Sequence, residues 1–348
     1  MFAAIRRWFR PRAASVGISR AAPAAPAVDQ PTRGVAAPVP ATAEPAVTAP
    51  YPAGDLTRHF RAQLAERVDV LAEALPRKER SGDSGALLEA LLRHEDLGIR
   101  QMPAAAQEAL AICNDPLASL HQLVPLFTKD PTLAQALLRQ ANSAFYSNGT
   151  PIVGLGDAMQ RIGTGGVRAV LIGATVQGLL CRPGGAFASL AAQTWEQMTR
   201  TAPTARTLAS AFAVHLEEAF VLGLLHDVGK LVVFDVATAL RTERRRELQL
   251  DPALTRALLR QAHEPLGGIA IRLWGLGDAA ALAIATHHRS PPPGYHDPLS
   301  EMLYAAEHVD RAIANGNEVD LPSLWRSGML TGSVGKVGTL LDAGQLGR

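Results

Sequence analysis

The sequence predicts an all-α fold. Aromatic residues make up 5% of the chain although 47% of it is hydrophobic. Large apolar residues recur at three- and four-residue spacing, and no segment alternates with period two for long enough to require a strand. A chain of 348 residues can bury the core of one large or two modest domains. The formal net charge of +2 provides no basic field, so no DNA or RNA partner is expected.

Cys113 and Cys181 stand far apart and in no CxxC pattern. A disulfide framework or zinc ribbon is therefore not expected, and a reducing cytoplasm fits. Arg168, His226, Asp227 and Lys230 interrupt the longest apolar runs, so none reaches the length of a membrane span. The N-terminus "MFAAIRRWFRPRAASV" is basic but lacks the apolar stretch of a secretory signal. Phe2, Ile5 and Phe9 interleave with Arg6, Arg7 and Arg10. That pattern permits weak membrane contact through residues 1–12, beside the plainer reading of a solvated tail.

Residues 1–54 read as a disordered Ala/Pro-rich tail, with prolines at 11, 23, 26, 31, 38, 40, 45, 50 and 52. Residues 55–100 read as a helical extension. Asp55 can cap a helix whose stripe is Phe60, Leu64, Val68 and Leu71. "PRKERSGDSG" then forms a polar break before "ALLEALLRHE". Residues 101–315 form the main helical domain. Ser119 and Gln122 make a capping pattern, and Asp130-Pro131 offers an N-cap followed by proline at the first helical position. The glycines from Gly163 to Gly166 separate two further helices, and Pro203 should kink or split the helix after them. Glu217 and Glu218 open an apolar helix that runs on through "LLHDVGKLV". The helices of "HEPLGGIAIRLWGLG", "DAAALAIATHHRS" and "SEMLYAAEHVDRAIANG" follow, the last ended by Gly316. Residues 316–348 are a tail or packing segment.

His226 and Asp227 within that apolar helix need partners. His263, His287, His288 and Glu307 are the candidates, each on or beside a separate downstream helix except the adjacent His287-His288 pair. Imidazole and carboxylate suit borderline divalent ions such as Zn, Fe or Mn, and a pair of such ions can activate water against a phosphate ester. Each residue also has a plainer role. His287 and His288 can interact with a helix C-terminus, and Glu307 can pair with Arg311 at i+4. "RTERRREL", from Arg241 to Leu248, reads as a solvated basic helix face rather than a nucleic-acid patch.

The order "LLHDVGKLV", "HEPLGG", "RLWGLG", "HH" resembles the HD superfamily of helical metal-dependent phosphohydrolases. The upstream stretch "KDPTLAQALLRQANSAFYSNGTPIVGLGDAMQRIGTGGVRAVLI" resembles the front half of the HDOD domain, a modified HD module of bacterial signalling proteins. The matching positions are Asp130, Pro131, Leu133, Leu137, Leu138, Ala141, Asn142, Ser143, Ala144, Tyr146, Ala158, Ile162 and Gly163. The resemblance spans residues 101–315 and implies a multi-helix HD-like bundle. HD hydrolases carry an earlier histidine and a closing aspartate, and here Gln197 and Glu307 stand in those places. A neutral amide replaces an imidazole poorly at a transition metal, and glutamate is one methylene longer than aspartate. The resemblance thus implies a stand-alone, non-catalytic regulatory protein, acting through signalling-protein partners or a cyclic nucleotide. Its metal ligands would be His226, Asp227, His263, His287, His288 and Glu307, holding a residual divalent Fe, Mn or Zn or only one another. The alternative is an HD-type metal-dependent phosphodiesterase.

Overall fold

The computed structural model describes residues 55–93, 99–143, 145–181, 187–289, 296–326, 330 and 334–342. The expected N-terminal tail, with its membrane-contact motif, lies outside them. Every described regular element is helical.

The extension forms α1 (Leu56–Ala74), a single turn α2 (Arg77–Arg80) and α3 (Asp83–Leu92). Asp55 caps α1 by accepting from the amides of Thr57 and Arg58, and Phe60, Leu64, Val68 and Leu71 form its buried stripe. The expected break between Pro76 and Gly85 is thus largely helical. Asp83 explains why, because it is sequestered at the start of α3 rather than solvated. Its carboxylate accepts from Arg244, from both terminal nitrogens of Arg246, and from the Gln249 amide at 2.7 Å. The basic segment after Arg241 is therefore partly a clamp on the extension and not wholly a solvated face.

Next come α4 (Ala104–Asn114), a 3₁₀ turn (Leu120–Leu123) capped by Ser119, α5 (Val124–Lys129) and α6 (Pro131–Ala141). Asp130 caps α6 through the amides of Thr132 and Leu133, with Pro131 at its first position. Helix α7 (Leu155–Leu180) is broken at Gly163, whose φ of 67° and extended ψ suit glycine alone. Helix α8 (Ala188–Leu208) runs through Pro203 without splitting. Ala202 and Ala205 beside the proline are fully buried, so packing holds the helix across the missing donor.

A 3₁₀ turn (Ala209–Phe212) leads to α9 (Leu216–Leu225), and α10 (Val228–Arg244) follows at once. The expected single helix through "LLHDVGKLV" is therefore two, divided at His226-Asp227. Asp227 adopts φ −102°, ψ 13°, outside the helical region. Helix α11 (Pro252–Leu273) starts well before "HEPLGG", where Asp251 caps it by accepting from Leu254 N–H. His263 consequently lies mid-helix and not at a helix start. Helices α12 (Asp278–Thr286) and α13 (Pro298–Ala314) complete the bundle, and Gly316, with φ 69°, ends α13 as expected. Two short helices follow, α14 (Leu321–Arg326) and α15 (Val334–Asp342). Leu324, Leu330 and Val337 are buried.

One apolar core runs from Phe60 to Val337. Helix α8 packs on α9 and α13, while α11 packs on α10, α12 and α1. The crossing of α10 and α11 is very close. A Cβ on Gly229 would stand 1.9 Å from the His263 carbonyl oxygen and 2.8 Å from the Gly267 nitrogen. Gly267 itself faces Ile284, where a Cβ would come within 2.7 Å of the side chain. The two glycines let the backbone after Asp227 touch the backbone at His263.

Gly229→Ala should therefore force the helices apart and cost about 3 kcal/mol, read from urea unfolding. The Asp83 clamp has its own pH signature. Hydrogen bonding to Arg246, above all, holds its pKa down at about 2, against burial. Its stabilisation is complete above the ordinary aspartate pKa and is lost as pH falls through the folded value. Asp83→Asn should flatten acid unfolding between about pH 4 and 2.

Candidate metal centre

Five helix ends or faces converge on one buried cluster. His226 ends α9, Asp227 opens α10, His263 comes from the middle of α11, His287 ends α12 with His288 next to it, and Glu307 projects from α13. All six sequence-predicted candidates are thus brought together. The exposure of His226, Asp227, His263, His287 and Glu307 is 3% or less. Only His288 reaches the surface, with 28% of its side chain exposed.

The local fold orients each ring. His226 Nδ1 lies 2.8 Å from the Gly223 carbonyl oxygen, and His287 Nδ1 lies 2.7 Å from that of Ile284. Both carbonyls are free acceptors at helix C-termini. With Nδ1 donating there, each Nε2 is aimed inward, and that of neutral His287 is left as an acceptor. The ring centroids of His287 lie 5.8, 5.4 and 4.1 Å from those of His226, His263 and His288.

Ligand atoms fall into two groups. His263, His287 and His288 each offer one within 4.8 Å of the others, and so do His226, Asp227 and Glu307. Nε2 of His226, both ring nitrogens of His263, Nε2 of His287 and Oδ1 of Asp227 are buried without a hydrogen-bond partner. Buried polar atoms of that kind are normally satisfied, so their concentration here fits a bound cation. The donor set suits a borderline divalent metal.

The carboxylates already have cations. Lys230 Nζ sits 2.6 Å from Asp227 Oδ2, and Arg311 donates to Glu307 Oε1. The imidazoles share these carboxylates: His226 meets the same Asp227 oxygen as Lys230, whereas His263 and His288 meet the other oxygen of their partner. Asp227 Oδ2 is 3.4 Å from His226 Nε2, Asp227 Oδ1 is 3.7 Å from His263 Nε2, and Glu307 Oε2 is 3.2 Å from His288 Nε2. The Glu307–Arg311 pair foreseen on a solvated face exists, but its carboxylate is buried. Lys230 and its link to Asp227 belong to the cluster beside the six candidates. The i+3 spacing of Lys230 from Asp227 was the available signal for it.

Burial opposes ionisation of Asp227, yet His226 and Lys230 hold its carboxyl well below the ordinary range. Glu307 is also lowered against burial, chiefly by His288 and His226. Burial pulls His263 down to about 3 and His287 and His288 down to about 4, with Asp227 or Glu307 opposing. These three are neutral at neutral pH, the form that binds a metal. His226 moves the other way, because the adjacent Asp227 outweighs its burial.

Helix α8 packs against both α9 and α13. Its buried positions include Met198, Thr201, Ala202 and Ala205, none an imidazole or a carboxylate. Gln197 is only half-buried, and its backbone carbonyl accepts from the Thr201 hydroxyl.

A His-Asp helix junction, histidines from two further helices and a closing carboxylate thus meet inside an all-helical bundle. The model of the HDOD domain family matches residues 99–290, more than half the chain, and this protein belongs to that family. The solved structures it resembles include an HDOD domain protein with unknown function from Geobacter sulfurreducens. That likeness has a TM-score of 0.52 at 19% identity, over 70% of this chain and 89% of that one. Another is a protein from Shewanella amazonensis SB2B named as a candidate metal-dependent phosphohydrolase. It gives a TM-score of 0.58 at 20% identity, over 74% of this chain and 93% of that one. At such identities the likeness shows the fold alone. An uncharacterised protein of Treponema pallidum (strain Nichols) is 24% identical over 215 residues, which is 60% of this chain and 41% of that one. The chain thus spans about two fifths of the length of that curated relative. Among the described residues, no helix is long and apolar enough to cross a membrane.

The histidines carry a measurable linkage. His263, His287 and His288 bind protons more readily unfolded than folded, against the single opposing shift of His226. Their contribution is complete above about pH 6.5, the ordinary histidine value, and is lost as pH falls toward 4. Urea midpoints of metal-free protein should fall between pH 7 and 5, before carboxylates titrate.

Proposed function

We propose that this protein is a non-catalytic regulatory member of the HDOD family, acting through binding. The observation that carries this reading is the pairing of both cluster carboxylates with cations of the same chain, Lys230 and Arg311. A carboxylate already neutralised has less charge to offer a metal, and two divalent ions would bring four positive charges to it. The donor set therefore supports at most one divalent ion, Fe, Mn or Zn, held by subsets of His226, Asp227, His263, His287, His288 and Glu307. When bound, such an ion would supply structural cross-linking of the helices. Five of the six ligands are almost wholly buried, which limits the approach of a phosphate ester to the side of His288.

In this reading the imidazoles and carboxylates fix the relative positions of α9 to α13. Output passes through a signalling-protein partner or a cyclic nucleotide at the surface. Leu117, Phe145 and Val153 are large apolar side chains left exposed, and they are candidate contact residues for a partner protein.

The second reading, a metal-dependent phosphohydrolase, is favoured by the unpartnered Nε2 atoms of His226, His263 and His287. The two readings separate in a turnover assay. Protein loaded with Mn or Fe should hydrolyse cyclic di-GMP and bis-p-nitrophenyl phosphate no faster than the metal alone. Turnover that disappears in His226→Ala would overturn the regulatory reading.

A further inference from the structure

Helix α11 contains Pro265 in its interior, two residues after His263. Proline has no N–H, so the carbonyl of Gln261, four residues earlier, loses its helical donor. The donor comes from α1. Arg67 Nη1 donates to the Gln261 carbonyl oxygen and lies 3.1 Å from Glu264 Oε2. Glu264, next to His263 in the chain, is itself buried. Its Oε1 accepts the His288 backbone N–H at 3.2 Å, and its Oε2 accepts from Arg289 Nε at 3.3 Å. One guanidinium thus touches the backbone of the His263 helix and, through one carboxylate, the backbone of His288.

The contact is built along the length of α1. Phe60 lies against Gly268, where a Cβ would come within 2.9 Å of its ring, and Arg272 Nε reaches the Thr57 hydroxyl at 3.3 Å. Helix α1 precedes the segment matched by the family model.

We propose that Arg67 is a positioning residue of the cluster: it supplies the donor that Pro265 removes from the His263 helix and, through Glu264, sets the backbone at His288. The N-terminal extension is then a working part of the centre, and undocking α1 loosens two imidazoles at once. The consequence for metal affinity rests on the reading that the cluster holds an ion, whereas the consequence for backbone order does not.

The test uses the full chain, metal-free, with Arg67→Met, which keeps the apolar stem and removes the donors. Amide hydrogen exchange of His288 should accelerate at least tenfold, while Leu137 on α6 serves as a remote reference and stays unchanged. Arg67→Lys should recover much of the protection. Pro265→Ala in the Arg67→Met background restores an N–H opposite Gln261 and should recover order at His263 more than at His288. Titration with Co²⁺, followed by visible absorption, should show about tenfold weaker binding in Arg67→Met, the scale of lost outer-shell contacts. Unchanged exchange at His288 and His263 in Arg67→Met would overturn the proposal. Wild-type protein that binds no Co²⁺ would instead overturn the metal reading, and the exchange data would still decide the role of Arg67.

Discussion

The structure turns on burying two carboxylates among four imidazoles where helices meet. An isolated buried carboxylate would be prohibitively unstable, so each must be paired and hydrogen-bonded. One oxygen of Asp227 meets both Lys230 and His226 and the other faces His263; Glu307 is held by Arg311 and faces His288. The helix boundaries follow from that requirement. Breaking the chain between α9 and α10 at His226-Asp227 lets consecutive side chains enter the same cluster, which an unbroken helix would splay by about 100°.

Bringing His263 up to Asp227 requires backbone contact between α10 and α11, which Gly229 and Gly267 allow. Pro265 leaves a gap in α11 beside that contact, and Arg67 fills it. The same helix that carries the imidazole is therefore tied on one side to α10 and on the other to the extension. Three neutral histidines, paired carboxylates and an Arg-mended helix make a polar network that can specify one arrangement of the bundle. That property suits a module whose output is a surface of fixed shape.

Much of this was legible in the residues. Asp55 and Asp130 announce their helices because a capping carboxylate followed by a regular apolar stripe is a local signal. The six candidate ligands were legible from residue type and order, since buried imidazoles and carboxylates demand partners. The helix break at His226-Asp227 was not, because an apolar run that fits one helix equally fits two in succession. The true start of α11 was hidden in a polar stretch whose cap, Asp251, precedes a proline. Pro203 does not split its helix, since packing around Ala202 and Ala205 outweighs its local cost. The pairing of Asp83 with Arg244 and Arg246 joins residues about 160 positions apart, and no periodicity encodes such a contact.

The central claim is that this cluster is a structural centre whose own cations leave room for no more than one ion. Metal stoichiometry of the full chain, measured by elemental analysis after loading with Fe, Mn or Zn and removal of excess, addresses it directly. The account predicts no more than one tightly held ion per chain, lost in the His263→Ala and His287→Ala variants. Two tightly held ions per chain would contradict it, because Lys230 and Arg311 would then not be occupying the charge of Asp227 and Glu307.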